Sequence, residues 1–225
     1  MDHLMHVATD LTPRRGFLGR VASAMALGLA GLMPTPSHAQ TAPAPANGPD
    51  WPGALKGRHR QVVDAYEANS GFPLAFAYTF LAPHGPPNPS APAATAVVVL
   101  RHGAFPIALD NEMWRKYKIG ESFKISDPET KAAAVKNPWF QPKAGVLNNA
   151  DMALDRLFAK GTVMGACAVA LRGQSRRLAP NAGVTPEEAL KEFTANLIPG
   201  VTVLPSGTWG VNRAQEAGCT YCAGG

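Results

Sequence analysis

Three cysteines and one histidine are the side chains of this sequence best suited to chemistry. Cys167 follows the apolar segment TVMGA, and His102 follows the apolar segment AVVVL with one arginine between. Both segments are typical of buried strands, so both residues stand where a strand ends. In an open parallel sheet, ligands bind at the carboxyl ends of the strands, where loops lead into helices. We therefore predict that Cys167 and His102 are the catalytic residues of a site at one sheet edge.

Cys167 has two interpretations. If residues 168–178 are helical, the thiol stands at the helix N-terminus, where unpaired N–H groups and the helix dipole favour a thiolate. Three arginines in that segment would add positive charge. Because Cys167 also lies between two alanines of an apolar strand, it can instead be a small core residue. Position alone favours the core residue.

His102 has three interpretations: a general base, a metal ligand, or a hydrogen-bonded loop residue. A single histidine is most often the last of these. A zinc or copper site formed by His102, Cys167 and Cys222 is chemically compatible, although the spacing does not require one.

Cys219 and Cys222 form a C-x-x-C pattern, which indicates redox or secondary thiols. If the segment is extended, its two Cα atoms lie about 10 Å apart, beyond the reach of about 7 Å for a disulfide. A c-type haem site is excluded because Ala223 stands where that motif needs histidine. With three cysteines, at least one is free, modified, metal-bound or intermolecular.

Several signatures of other enzyme classes are missing. The sequence has no G-x-G-x-x-G, no P-loop, no H-E-x-x-H and no G-x-S-x-G motif. Dinucleotide chemistry, phosphoryl transfer, zinc proteolysis and ester hydrolysis are therefore disfavoured. We expect no cofactor.

The N-terminus has the features of an export signal. Arg14 and Arg15 precede a short apolar run from Val21 to Met33, and a small-x-small pattern ends at Ala39. This combination is typical of a twin-arginine signal peptide over residues 1–39. A membrane anchor, the alternative, needs an apolar run of about twenty residues. We expect a periplasmic protein that has no membrane contact after signal removal.

The rest of the chain divides into two parts. Residues 40–55 are a Pro/Ala-rich tether, and residues 56–225 have the apolar content for one core. The formal net charge is +5, and the basic residues are scattered along the sequence, without a basic stripe or stacking aromatic residues. We therefore expect no nucleic-acid partner.

The apolar pattern of residues 56–225 alternates between two-residue and 3.6-residue periods. Strands are predicted at 60–65, 96–100, 162–169, 201–204 and 219–222, and helices at 72–81, 110–117, 151–160, from 185 and at 206–217. Residues 60–65 also fit one face of a helix. The fold expected is a three-layer α/β domain with a mainly parallel sheet of about five strands. Residues 119–150 have little periodicity and are predicted to be a long surface excursion that covers a site.

Three blocks of this sequence resemble the DsrE/DsrF-like family of small α/β proteins associated with sulfur relay and oxidation. The blocks are AVVVLRHG, LFAKGTVMGACAVAL and LIPGVTVLPSGTWGVNRAQEAGCTYC. The resemblance implies the family's α/β fold and a persulfide on the cysteine of the second block, Cys167. It also implies a homo-oligomer, a trimer or hexamer. The export signal and the 119–150 excursion depart from compact cytoplasmic relay proteins.

These observations lead to one main functional hypothesis. The chain is expected to be an exported, sulfurtransferase-like component that carries sulfur as a persulfide, or undergoes thiol redox chemistry, at Cys167. His102 would be a neighbouring acid, base or orienting group, and residues 119–150 a lid. The partners would be small sulfur species or a protein sulfur donor or acceptor. The alternatives are a non-catalytic periplasmic module that binds a small ligand or metal in the same crevice, and a structural subunit.

Overall fold

The alternation of apolar periods in the sequence corresponds to alternating strands and helices in the folded chain. The computed structural model describes residue 53, residues 55–86 and residues 92–225. The predicted signal peptide with Arg14 and Arg15, and nearly all of the predicted tether, lie outside the described residues. The described residues all belong to one compact unit.

Five parallel strands form one sheet in the order β4-β3-β2-β1-β5. The strands are β1 (His59–Glu67), β2 (Ala94–Gly103), β3 (Val163–Cys167), β4 (Val201–Leu204) and β5 (Thr220–Ala223). The β-branched run of β2 is completely buried at the centre of the sheet, as expected for a strand covered on both faces. The segment that fitted either a strand or a helix is strand β1.

Seven α-helices connect or flank the strands in the described part of the chain. They are α1 (Phe72–Leu81), α2 (Asn111–Lys116), α3 (Ile119–Phe123), α4 (Leu154–Ala159), α5 (Ala168–Ala182), α6 (Pro186–Ala195) and α7 (Gly207–Glu216). Side chains cap several of them. A capping box starts α6: the Thr185 hydroxyl accepts from the N–H of Glu188, and the Glu188 carboxylate accepts from the N–H of Thr185.

Helices cover both faces of the sheet. Alternate residues of β1 and β2, such as Val63 and Val98, pack in the larger core cluster with residues of α1, α4 and α5. Their neighbours Val62 and Val97 pack in a smaller cluster with Ala214 of α7. The prediction of a three-layer α/β fold is therefore confirmed, and all strand pairs are parallel.

The strand predicted at 162–169 is shorter in the structure. β3 ends at Cys167, and α5 begins at Ala168. The physical reason is that the Cys167 side chain accepts a hydrogen bond from the backbone N–H of Ala170, which makes Cys167 the N-cap of α5. The chain therefore turns into the helix two residues before the apolar run ends.

Residues 119–150, here called the 119–150 segment, are not only a surface excursion. They contain α3, in which Ile119 and Gly120 are buried, and three further buried residues, Ala134, Asn137 and Trp139. The buried Asn137 amide donates to the carbonyls of Ile107 and Leu109 at 3.0 and 2.9 Å, and its oxygen accepts from the Trp139 N–H. These bonds attach the segment to the domain core, an arrangement that apolar periodicity does not reveal.

The helices of the described residues are short. None of them has both the length and the apolar character that crossing a lipid bilayer requires. The longest, α5, has 15 residues and carries three arginines.

Candidate functional site

The sheet has a topological switch point between β3 and β4. β3 leads into α5, whose Leu171 and Leu178 pack in the larger core cluster on one face. The adjacent β4 leads into α7, whose Ala214 packs in the smaller cluster on the other face. Where neighbouring strands send their connections to opposite faces, a crevice forms at their carboxyl ends, and ligands bind there in open α/β sheets.

Cys167 stands at this switch point. It is the last residue of β3, it pairs with Leu204 at the end of β4, and it is 6% exposed. Its Sγ accepts a 3.3 Å hydrogen bond from the N–H of Ala170 in the first turn of α5. An N–H donor and the positive end of a helix dipole both favour negative charge on sulfur. The thiol is therefore shielded from bulk water but has a hydrogen-bond donor beside it.

Arg101 lies beside Cys167 at the end of the neighbouring strand. The β2–β3 register pairs Leu100 with Ala166, so Arg101 and Cys167 are the next residues on the two strands. The Arg101 side chain also packs against Gly207 at the first turn of α7, where an added Cβ would lie 2.6 Å from the Arg101 Cβ. The absence of a side chain at Gly207 therefore lets the arginine pass close to the helix start.

Asp64 holds Arg101 in place. The Arg101 Nε and Nη2 atoms donate to the two Asp64 oxygens at 2.6 and 2.9 Å, and the Tyr221 hydroxyl donates to Asp64 at 3.1 Å. Asp64 is buried, whereas the Arg101 side chain is 25% exposed. The hydrogen bond to Asp64 raises the pKa of Arg101, and burial followed by the bond to Asp64 raises the pKa of Tyr221. The Arg101 guanidinium also lies 4.8 Å from the centre of the Tyr66 ring.

His102 takes a different direction from Cys167. It is exposed, its φ is +49°, and its ring stacks on Tyr66 of β1 with the ring centres 4.4 Å apart. The backbone carbonyl of His102 accepts from the Gln174 side chain of α5 at 3.5 Å. No described contact joins His102 to Cys167, so the structure does not bring the two predicted catalytic side chains together.

Cys219 and Cys222 lie on opposite faces of the sheet. Cys219 belongs to the smaller core cluster, and Cys222 packs against the larger one. All three cysteines of the chain are free thiols. Burial raises the pKa of the Cys219 thiol.

A cleft of about 780 Å³ lies between the 119–150 segment and the carboxyl ends of β1 and β2. Its lining includes Glu67, Gly103, Lys124, Lys131 and Trp139, but not Cys167 or His102. The segment was expected to form a lid over Cys167, but the cleft that it borders is a different one. The cleft is large enough for a small molecule.

No cluster of three or more histidine, cysteine or acidic side chains that could hold a metal occurs in residues 53, 55–86 and 92–225. In particular, His102, Cys167 and Cys222 do not converge. Cys222 lies on the edge strand β5, which is separated from β3 by β2 and β1.

Sequence reasoning missed the Asp64–Arg101–Tyr221 cluster. One signal for it was present, because the segment QVVDAY places an acidic residue inside an apolar strand. A buried carboxylate needs a charged or hydrogen-bonding partner, and Arg101 is the first basic residue after the central strand's apolar run. The tyrosine could not be predicted, because its place depends on β5 lying next to β1.

A parallel α/β sheet supports many unrelated functions, so the function must be argued from the side chains at its edge. Those side chains are Cys167 as the cap of α5, Arg101 at the next position on the neighbouring strand, and Asp64, which binds the Arg101 guanidinium on the β1 side of β2. No protein-family model matches this chain, and no curated protein matches it.

Proposed function

We propose that this protein is an exported DsrE-like, sulfurtransferase-like component that carries sulfur as a persulfide on Cys167. The observation that carries the proposal is the hydrogen bond from the Ala170 N–H to the Cys167 Sγ at the switch point of the sheet. It supports the proposal because a persulfide group is acidic and its anion is stabilised by N–H donors and nearby positive charge.

The chemical step is a transfer of sulfane sulfur. The Cys167 thiolate attacks the terminal sulfur of a polysulfide or of a donor persulfide, so one S–S bond forms on Cys167. The S–S bond of the donor breaks, and the donor leaves as a thiolate or a shorter polysulfide. The sulfur that moves keeps its oxidation level, so no separate oxidant is consumed. Transfer to an acceptor thiol is the same step in reverse.

Arg101 has a supporting role in this proposal. Its backbone lies on the strand next to Cys167, whereas its guanidinium is fixed by Asp64 of β1, on the other side of β2 from β3. A fixed positive charge at this edge of the sheet favours the anionic persulfide through its field, and the distance across β2 weakens that effect. His102 is not needed for the step, since its ring is stacked on Tyr66.

The limited exposure of Cys167 favours small donors. Because residue Cys167 is only 6% exposed, a polysulfide or a slender persulfide group suits this position better than a broad protein surface does. Small sulfur species, or a protein that extends a persulfide on a flexible arm, are therefore the partners we propose. The resemblance to DsrE-like proteins adds a homo-oligomer, a trimer or hexamer.

The proposal is tested by intact-mass spectrometry after treatment with polysulfide. Wild type is expected to gain the mass of added sulfur, and Cys167→Ser is expected to gain none. Cys222→Ser is the matched control, because it removes the more exposed thiol, and it should load sulfur as wild type does. Equal loading of wild type and Cys167→Ser would remove Cys167 from this role.

Export is tested separately with the signal residues. Arg14→Lys together with Arg15→Lys preserves charge but removes the arginine pair. We expect wild type in the periplasmic fraction, with a mature N-terminus near Gln40, and the double variant retained uncleaved inside the cell. Periplasmic recovery of the double variant at the wild-type level would contradict export by the twin-arginine route.

A further inference from the structure

The cleft beneath the 119–150 segment is separate from the Cys167 site and carries its own set of charges. One wall is formed by the carboxyl ends of β1 and β2, through Glu67 and Gly103. The opposite wall is formed by the 119–150 segment, through Lys124 and Lys131. An acidic wall thus lies across the cleft from a basic one.

The acidic wall consists of the Glu67 carboxylate. Glu67 is the last residue of β1, and within residues 53, 55–86 and 92–225 its side chain makes no hydrogen bond or ion pair. The carboxylate lies over Gly103, where an added Cβ would be 1.7 Å from the Glu67 Oε2 atom. Gly103 therefore leaves the space that the carboxylate occupies.

The basic wall is also largely unpaired. In the part of the chain that the structure describes, the Lys124 side chain has no hydrogen-bond or ion-pair partner. The Lys131 Nζ donates to the backbone carbonyl of Pro128 at 2.7 Å, and it pairs with no carboxylate of the described residues. Both ammonium groups keep donors for an anionic group.

Apolar side chains lie between the two charged walls. Trp139 is 4% exposed and packs edge-on against Trp114 of the core. Ile125, Leu147 and Met152 also line the cleft. A ligand that spans the two charged walls would therefore place its apolar portion against these residues.

The backbone around the cleft is held in an uncommon conformation. Seven described non-glycine residues have a left-handed φ, and four of them line the cleft: Asn69, Ser70, Lys124 and Lys131. Such conformations persist where the surrounding structure holds them, and they concentrate at ligand sites. Their grouping here favours a binding role for the cleft over an incidental gap.

We propose that this cleft binds a zwitterionic small molecule, an amino acid or short peptide with an apolar side chain. The ligand's ammonium group would bind Glu67, its carboxylate would bind Lys124 or Lys131, and its side chain would contact the apolar wall. The volume of about 780 Å³ holds a ligand of dipeptide size. The negative charge of Glu67 disfavours the binding of a polyanion such as phosphate. A metal ion is disfavoured because the described residues offer no cluster of metal ligands.

Titration calorimetry on the full chain tests the proposal with three compounds: phenylalanyl-leucine, its N-acetyl form and its C-terminal amide. Wild type should bind the free dipeptide, and removal of either ligand charge should weaken binding by about tenfold, the usual effect of one lost charged hydrogen bond. Glu67→Gln should abolish the preference over the N-acetyl form. Lys124→Gln combined with Lys131→Gln should abolish the preference over the amide.

Two controls separate this site from other effects. Lys136→Gln removes an exposed charge of the same segment that does not line the cleft, and Cys167→Ser removes the thiol of the sulfur site. Both should bind as wild type does. Absence of binding to the free dipeptide, equal binding of the three compounds, or unchanged selectivity in Glu67→Gln would overturn the proposal.

Discussion

The Arg101 Nε donates a 2.6 Å hydrogen bond to Oδ1 of Asp64, and Nη2 donates to Oδ2 at 2.9 Å, so the pair is bidentate. Asp64 is 7% exposed. Removal of either partner leaves a poorly solvated charge at the sheet edge. The pair therefore supports the stability of the domain and fixes the guanidinium on the β1 side of β2.

A double-mutant cycle measures this coupling. Asp64→Asn and Arg101→Gln should each lower the free energy of unfolding, and the coupling energy should be about 1–3 kcal/mol, as for a hydrogen bond between charged groups. The exposed pair Lys143–Glu129 is the matched control and should give less than about 1 kcal/mol. Equal coupling in the two pairs would show that burial of Asp64 adds nothing.

The Asn137 amide is predicted to hold the 119–150 segment on the core. Asn137→Ala removes two donors to the Ile107 and Leu109 carbonyls and an acceptor for the Trp139 N–H. We expect a loss of about 2–4 kcal/mol in the free energy of unfolding, because buried polar groups are left unpaired. Denaturant unfolding checks this, with the exposed neighbour Lys136→Ala as control. A loss no larger than the control's would contradict the anchoring role.

Glu192 should make the free energy of unfolding depend on pH in the acidic range. The Lys116 ammonium, followed by the Tyr117 hydroxyl, lowers the pKa of Glu192. A carboxylate with a lowered pKa in the folded state contributes stability at pH values above its ordinary pKa of about 4.3, and this contribution is lost as pH falls through the lowered value. Because Glu192 is partly exposed, solvent screening keeps the contribution small.

The measurement is the free energy of unfolding from pH 7 downward. Glu192→Gln should flatten the decline below about pH 4, where the ordinary carboxylate begins to protonate. Glu187→Gln is the control, since Glu187 is an exposed glutamate of the same helix without a side-chain partner in the described residues. Identical acid slopes for wild type and Glu192→Gln would refute the assignment.

Two thiols of nearly equal exposure are predicted to react at different rates. Cys167 and Cys219 are 6% and 7% exposed, so access is matched. Burial raises the pKa of Cys219, whereas the Sγ of Cys167 accepts the Ala170 N–H. Cys167 should therefore react faster with iodoacetamide at neutral pH. Peptide-resolved alkylation rates check this. Equal rates, or a faster Cys219, would count against an activated Cys167.

The sequence allowed the layers of this fold to be predicted because each layer has a local pattern. The uninterrupted run AVVVL identifies a strand covered on both faces, and the capping box at Thr185 identifies a helix start. Both signals depend on neighbouring residues only. The position of Cys167 at a strand end was predictable for the same reason.

The partners of the site residues depend on long-range geometry, so they could not be predicted. His102 was expected near Cys167 because both follow central strands, but its left-handed φ and its stacking on Tyr66 direct the ring toward β1. Asn137 lies in a segment without periodicity, and its amide donates hydrogen bonds to carbonyls about 30 residues away in the sequence. The pairing of β5 with β1 likewise places Tyr221 next to Asp64.

Peptide mapping of the trapped adduct tests the central claim most directly. Wild-type protein is treated with polysulfide and capped with an alkylating reagent, and the site of the added sulfur is read from the peptides. The account predicts the added sulfur on the peptide that contains Cys167, with little on the more exposed Cys222. An unmodified Cys167 peptide beside a loaded Cys222 peptide would contradict the account.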